Sequence, residues 1–217
     1  MSRNRLKLSK TYLMGNMDHA PDGGAEWREW LTPWLWERGI IVLNPCDKPI
    51  RPGEPGHETD DMREQRSRFM ASGDYDAVTS MMKPVRRIDL RMVDEMGFGI
   101  CSLDLSQRPC GSYEEAFTGN RQRKPVIFRC VQGKAAMPPW MFSAFPHQFF
   151  HDTWDQVKEY IDQINDGDHI NDFGRWHFFD IEPQVRKIMG VDRLERKIKR
   201  LEKERAHLLA NQMKKED

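Results

Sequence analysis

The stretch FGICSLDLSQRPCGSYEEAFTGNRQRKPVIFRC, residues 98 to 130, decides how the rest of the chain is read. Its two ends, "FGICSLD" (98 to 104) and "PVIFRC" (125 to 130), are short and largely apolar, as strands covered on both faces must be. Between them "GSYEEAFTGNRQR" reads as a helix opened by Gly111 and Ser112. Strand, helix and strand in that length predict neighbours in a parallel sheet. The same stretch sets Glu114 and Glu115 side by side in what reads as the helix's first turn, beyond the carboxyl end of a strand. Position alone suits a plain purpose, because carboxylates complement the positive end of a helix dipole. Consecutive helix positions differ by about 100°, so one of the two can face a crevice while the other faces water.

The alternation continues outward from this unit. "KTYLMG" (10 to 15) predicts a strand ending in glycine, and "AEWREWLTPWLWERG" (25 to 39) a helix with Trp27, Trp30, Leu31, Trp34 and Leu35 at three- and four-residue spacing. "IIVLNP" (40 to 45) predicts a second strand. Residues 60 to 83 read as one or two helices with a break at Ser72-Gly73, and "PVRRIDLRMVDEMG" (84 to 97) as a further helix begun by Pro84. After "MPPWMFSAFPHQFF" (137 to 150), "TWDQVKEYIDQIN" (153 to 165) reads as a helix with Thr153 at its cap. The fold class is therefore α/β, a three-layer sandwich with a parallel sheet and a C-terminal helical tail. The domain spans 1–166, a connector 167–183, and a charged helix 184–217. In such folds ligands bind beyond the carboxyl ends of the strands, where "YLMGN", "LNPCDKP" and "LDLSQRPCGSYEE" converge.

Composition limits the function. Lys+Arg 34 against Asp+Glu 34 leaves no basic field for duplex DNA. The longest apolar runs are too short to span a bilayer, and "MSRNRLKLSKTYLMG" lacks the core of a signal peptide, so a cytoplasmic protein with no membrane partner is expected. The cysteines, Cys46, Cys101, Cys110 and Cys130, show no CxxC spacing, which predicts reduced thiols and no metal. Cys110 reads as an ordinary loop cysteine, the tryptophans of 25 to 39 as core, and the aromatics of 137 to 150 as packing, a base pocket or an intersubunit seam.

"YLMGN", "WREWL…GIIVLNP", "RRIDLRMVDEMGFGICSLD" and "GSYEEAF…KPVIF", in this order, resemble the nucleoside 2-deoxyribosyltransferase family and its nucleotide N-glycosidase relatives. The resemblance covers about residues 10 to 165 and is nearest to the divergent members found in phage genomes. It implies a flavodoxin-like sheet and 2-deoxyribosyl transfer between bases, with a glutamate attacking the sugar C1′. The hydrolysis of deoxynucleotides, or catalytically silent nucleotide binding, are the alternatives. It implies a nucleoside or nucleotide as partner, no cofactor, a homo-oligomer, and the host cytoplasm for a phage-encoded chain.

Carried over by motif position, the resemblance makes Glu115 the nucleophile, Tyr12 the residue that orients it, and Asp89 the group that contacts and protonates the base. Gly15 would give room for the sugar, and Asn16, Gly111, Ser112 and Glu114 would complete the binding site. The nucleophile is expected to stay ionised, favoured by the helix N-terminus and the Tyr12 hydroxyl. Where many members have an Asp two residues ahead of the motif glycine, this chain has Pro109, and Gly97 replaces another family aspartate. Asp104 is the residue that could stand in for the first.

In the tail, Val191, Leu194, Ile198, Leu201 and Leu208 fall in a/d register, with Arg205 and Gln212 at two a positions. So short and interrupted a stripe suits either a weak coiled coil or a helix laid on the domain.

Overall fold

The computed structural model describes residues 4–17, 20, 22–51, 54–167, 174–179 and 182–216, with the side chains of residues 192 and 208–216 outside the description. The Leu208 and Gln212 side chains of the heptad pattern and part of the expected connector therefore lie outside the description.

Five strands form one parallel sheet in the order β2-β1-β3-β4-β5, the flavodoxin-like order. They are β1 (Lys10–Gly15), β2 (Ile41–Leu43), β3 (Phe98–Leu103), β4 (Val126–Cys130) and β5 (Phe150–His151). The register sets Tyr12 between Leu43 and Gly99, and Gly15 opposite Ser102. Alternation of side chains along each strand then divides the core in two. Tyr12, Met14, Cys101, Leu103 and Phe128 face one layer, and Leu13, Phe98, Ile100 and Ile127 the other.

The first layer is closed by α3 (Tyr75–Glu95), α4 (Cys110–Arg121) and the short α5 (Pro139–Ala144), the second by α1 (Ala25–Trp36) and α6 (Trp154–Asp166). Amphipathic spacing explains the docking: Val85, Met92 and Val93 of α3, and Val157, Ile161 and Ile164 of α6, are the buried positions of their helices. A capping box at Thr153 and Gln156 starts α6. α2 (Asp60–Ser72) is capped by Thr59 and ended by Gly73 in the left-handed conformation, with Asp74 capping α3 immediately after.

Several boundaries differ from expectation. Pro84 does not begin a helix; it lies inside α3, whose buried face spans the proline's missing hydrogen bond. β2 is only Ile41–Leu43, because Asn44 turns the chain, its side chain accepting from Cys46 N at 2.9 Å and its backbone bridging to Asp47. The fifth strand, two residues long, was not anticipated; so brief a segment has no periodicity to read. Residues 137 to 150 are mainly packing: Met137, Met141, Phe145, Phe149 and Phe150 are buried in the first layer, leaving Trp140 and Phe142 exposed. Of the α1 tryptophans, Trp27 and Trp34 pack against the second layer while Trp30 and Trp36 are exposed.

The chain divides into two compact units, residues 1–178 and 179–217. Trp176 belongs to the first, where its ring lies 5.3 Å from that of Phe98 and its Nε1 donates to Tyr160 Oη at 3.1 Å. The second unit holds α7 (Glu182–Ile188) and α8 (Val191–Glu216), joined at Gly190 and tied by Arg186 to Glu195 at 2.7 Å. Along α8, Leu194, Ile198 and Leu201 are exposed. In urea unfolding, Trp176→Ala should destabilise the α/β unit by about 3 kcal/mol, whereas ending the chain after residue 181 should leave its midpoint in place. An unshifted Trp176→Ala midpoint would show that this residue is not part of the core.

Candidate active site

Sequence reading placed Tyr12, Asp89 and Glu115 on three separate elements, and the sheet order brings them together. The strand order reverses between β1 and β3, which opens a crevice at their carboxyl ends. A cavity of about 520 Å³ lies there, lined by Gly15 and Asn16 of the β1 end, Asp89 of α3, and Gly111, Ser112, Glu114 and Glu115 of α4.

Tyr12 is buried in β1 and donates its hydroxyl hydrogen bond to Glu115 Oε1 at 2.8 Å. Glu114, one helix position away, turns outward and is held in a fork by Arg86, whose Nε donates at 2.8 Å. That exposed pair contributes little stability but keeps Glu114 ionised, its pKa lowered by the Arg86 hydrogen bonds. The two adjacent carboxylates thus have opposite surroundings.

The helix begins at Cys110 with Pro109 before it, so the Glu pair stands in the second turn and not the first. Glu115 is consequently farther from the helix N-terminus than the sequence suggested. Burial pushes its pKa up to about 8, and the negative charge of Asp89 adds to the rise; the Tyr12 hydrogen bond, Arg28 and Lys48 pull the other way without overcoming it. Against the expectation of an ionised Glu115, these surroundings favour its protonated form. Asp89 is raised to about 6, again by burial first, with the ammonium of Lys48 opposing. Tyr12 is raised well above its ordinary value by burial and by Glu115, and it remains a donor.

Residues that sequence reading missed complete this wall. Lys48, from the loop after β2, has a fully buried side chain; its Nζ lies 2.7 Å from Asp89 Oδ1 and 3.6 Å from Glu58 Oε2. Arg66 of α2 approaches Glu58 at 3.6 Å. Arg28 is buried in α1 on the face that carries Leu31 and Leu35, three and seven residues on. Its guanidinium donates to Leu13 O at 3.0 Å, to Gly15 O at 3.3 Å and to Gly24 O. An arginine within an apolar stripe was the available signal for Arg28, and "LNPCDKP" at the crevice was the signal for Lys48. Nothing local marks Glu58.

Other expected residues are placed differently. Asp104 does not reach the cavity that holds Glu115. Its carboxylate accepts from Ser106, Gln107 and Gln132, which lower its pKa, and it lines a neighbouring cavity with Trp27, Trp30, Trp154 and Arg129. Asn16 clamps the ends of β1 and β3, donating to Asp104 O at 3.3 Å and accepting from Asp104 N at 3.0 Å. Gly15 lines the cavity, and a Cβ there would also lie 2.7 Å from Ser102 O. Gly111 faces open space, where any side chain would narrow the cavity. Among the described residues, no group of three or more His, Cys, Asp or Glu side chains is arranged to hold a metal ion, and no helix is long and apolar enough to cross a membrane.

Fold and cavity together define an α/β protein with a carboxyl pair, one member tyrosine-bound and the other lysine-bound, at the switch point of a five-stranded parallel sheet. No family model and no curated protein matches the chain. Among solved structures it is similar to a 2-desoxiribosyltransferase from Leishmania mexicana, with 12% identity, a TM-score of 0.43, and coverage of 71% of this chain and 97% of that one. A likeness of that degree carries no argument about chemistry.

Both carboxyls hold folded-state pKa values above the unfolded range near 4, so between those limits the folded chain binds more protons than the unfolded one. Their stabilising contribution is complete below pH ~4 and is lost as pH rises through about 6 and about 8. Glu115→Gln removes the later loss. Thermal unfolding should show the variant melting above the wild type at pH 9 and losing that advantage by pH 5, by roughly 2–4 °C per kcal/mol. Parallel melting curves across this range would contradict the raised Glu115 value.

Proposed function

We propose that the chain cleaves the N-glycosidic bond of a 2′-deoxynucleoside or deoxynucleotide and transfers the deoxyribosyl group through a covalent ester on Glu115. The observation that carries this reading is the Tyr12 to Glu115 hydrogen bond at 2.8 Å, on a cavity that also presents Asp89. The motif positions of these residues support it as well.

The raised values of the two carboxyls define what the reaction requires. Glu115 holds the proton and Asp89 is the carboxylate, whereas attack on C1′ needs the reverse. One proton relocated from Glu115 to Asp89 gives both working forms without exchange with solvent. The Glu115 carboxylate then bonds to C1′ on one face of the sugar as the C1′–N bond breaks. The bonding pair stays with the base, and the Asp89 proton neutralises it. The Tyr12 hydroxyl holds the attacking carboxylate in line. In the second half, an incoming base nitrogen attacks C1′, the ester bond breaks, and the nitrogen's proton returns to the pair. Water in that place gives hydrolysis instead.

The exposed stripe of Leu194, Ile198 and Leu201 supports assembly into a homo-oligomer through α8. Deleting 182–217 should then lower the mass seen by light scattering, and an unchanged mass would remove this role.

Intact-protein mass spectrometry after incubation with a deoxynucleoside panel should reveal a deoxyribosyl adduct on the wild type and none on Glu115→Gln. Base release should fall by roughly 10³-fold or more in that variant, while Glu114→Gln should change it little. Loss with Glu114→Gln and survival with Glu115→Gln would reverse the assignment. With an excess of a second free base, exchanged nucleoside should form faster than free deoxyribose; free sugar alone would make the enzyme a hydrolase.

A further inference from the structure

A lysine withdrawn wholly from water loses its hydration, at a cost of several kcal/mol unless charge partners replace it. Lys48 has such partners, Asp89 at 2.7 Å and Glu58 at 3.6 Å. It does not itself line the cavity, whereas both of its partners do. Lys48 thus stands behind Asp89, touching the site only through it. Lys48 Nζ and Asp89 Oδ1 are in direct ion contact at 2.7 Å.

We propose that Lys48 is the positioning residue of this site: its ammonium holds Asp89 in the cavity wall and decides on which carboxyl of the Asp89–Glu115 pair the single proton rests. The inference builds on the reading of Asp89 and Glu115 as the working pair. With Lys48 charged, the anion is stabilised at Asp89, 2.7 Å away, and the proton is left to Glu115. Without it, the Tyr12 hydrogen bond at 2.8 Å and the Glu58 carboxylate both favour Glu115 as the place for negative charge.

Every packed element contributes to the balance. Tyr12 of β1 and Arg28 of α1 favour charge on Glu115, the first through its hydrogen bond. The Glu58 carboxylate, before α2, opposes charge on Asp89 while itself facing Arg66. Cys101 of β3, a buried thiol beside Glu115, stays neutral because burial and Glu115 raise its pKa. Among the described residues, Lys48 is the only ammonium that acts on both carboxyls; the guanidinium of Arg28 is already committed to Leu13, Gly15 and Gly24 carbonyls.

The test needs no substrate. Side-chain carboxyls of the full chain, labelled with ¹³C at Asp and Glu, are titrated by NMR, and Asp89→Asn and Glu115→Gln assign the two signals. The wild type should show midpoints near about 6 and about 8. Lys48→Met should move both upward, by about one pH unit or more, and Lys48→Arg should restore them toward the wild-type values. Glu58→Gln should move the Asp89 midpoint in the opposite direction, downward, which provides a second reading if Lys48→Met fails to fold. Midpoints unmoved by Lys48→Met, or a Glu58→Gln midpoint that stays or rises, would overturn the proposal. Catalysis separates the two readings. A chain that shifts as stated but forms no adduct would sink the transferase function alone, and one that forms the Glu115 adduct with Lys48-independent midpoints would sink this inference alone. If both hold, the pH profile of base release in Lys48→Met should move alkaline by the same amount, a change that a merely structural role does not produce.

Discussion

The burial of Arg28 is the constraint from which the site follows. A guanidinium in a low-dielectric core must have its donors satisfied, and here backbone carbonyls of Leu13, Gly15 and Gly24 do so in place of a carboxylate. Those carbonyls lie at the end of β1 and the entry of α1, so a single side chain ties the two together. Asp22 holds the entry of α1 by accepting from Gly24 N at 3.0 Å and Glu26 N at 2.7 Å. With the end of β1 fixed, Tyr12 is fixed as well, and its hydroxyl reaches Glu115 across the crevice. The charge of Arg28 also lowers the cost of an anion at Glu115 and at Asp89.

The electrostatic arrangement opposes stability for a recognisable reason. Two carboxyls held at raised pKa values lose stability as they ionise, and a buried ammonium among them needs Glu58 as a further partner, itself approached by Arg66. An apolar wall of the same volume would fold with less demand for pairing. Groups with displaced pKa values in a cleft are what proton-handling chemistry requires, and cavities of this kind are tolerated where the rest of the core supplies the stability. The two apolar layers on either side of the sheet supply it here. The contrast between Glu114 and Glu115 isolates the effect: the same residue type, one helix position apart, is kept ionised by an exposed arginine or kept protonated by burial beside another carboxyl.

Much of the fold was legible in the sequence, because strands covered on both faces and amphipathic helices leave local patterns. The βαβ stretch at 98 to 130 pointed to a parallel sheet, and the spacing in α1 marked Leu31 and Leu35 as the face that docks. The 100° step along a helix anticipated that Glu114 and Glu115 would part. Tertiary structure decided what no local pattern encodes. The two-residue β5 exists only as the neighbour of β4, and α3 runs through Pro84 because its docked face outweighs one missing hydrogen bond. Lys48 and Asp89 are 41 positions apart, so their 2.7 Å contact cannot be read from either neighbourhood. The protonation of Glu115 likewise depends on burial and on a charge from another helix. Sequence pointed to Tyr12, Asp89 and Glu115 as neighbours at the crevice; only the packed structure set Glu58 and Lys48 beside them and decided their charge, because the free energy of a charge depends on the groups that replace its water.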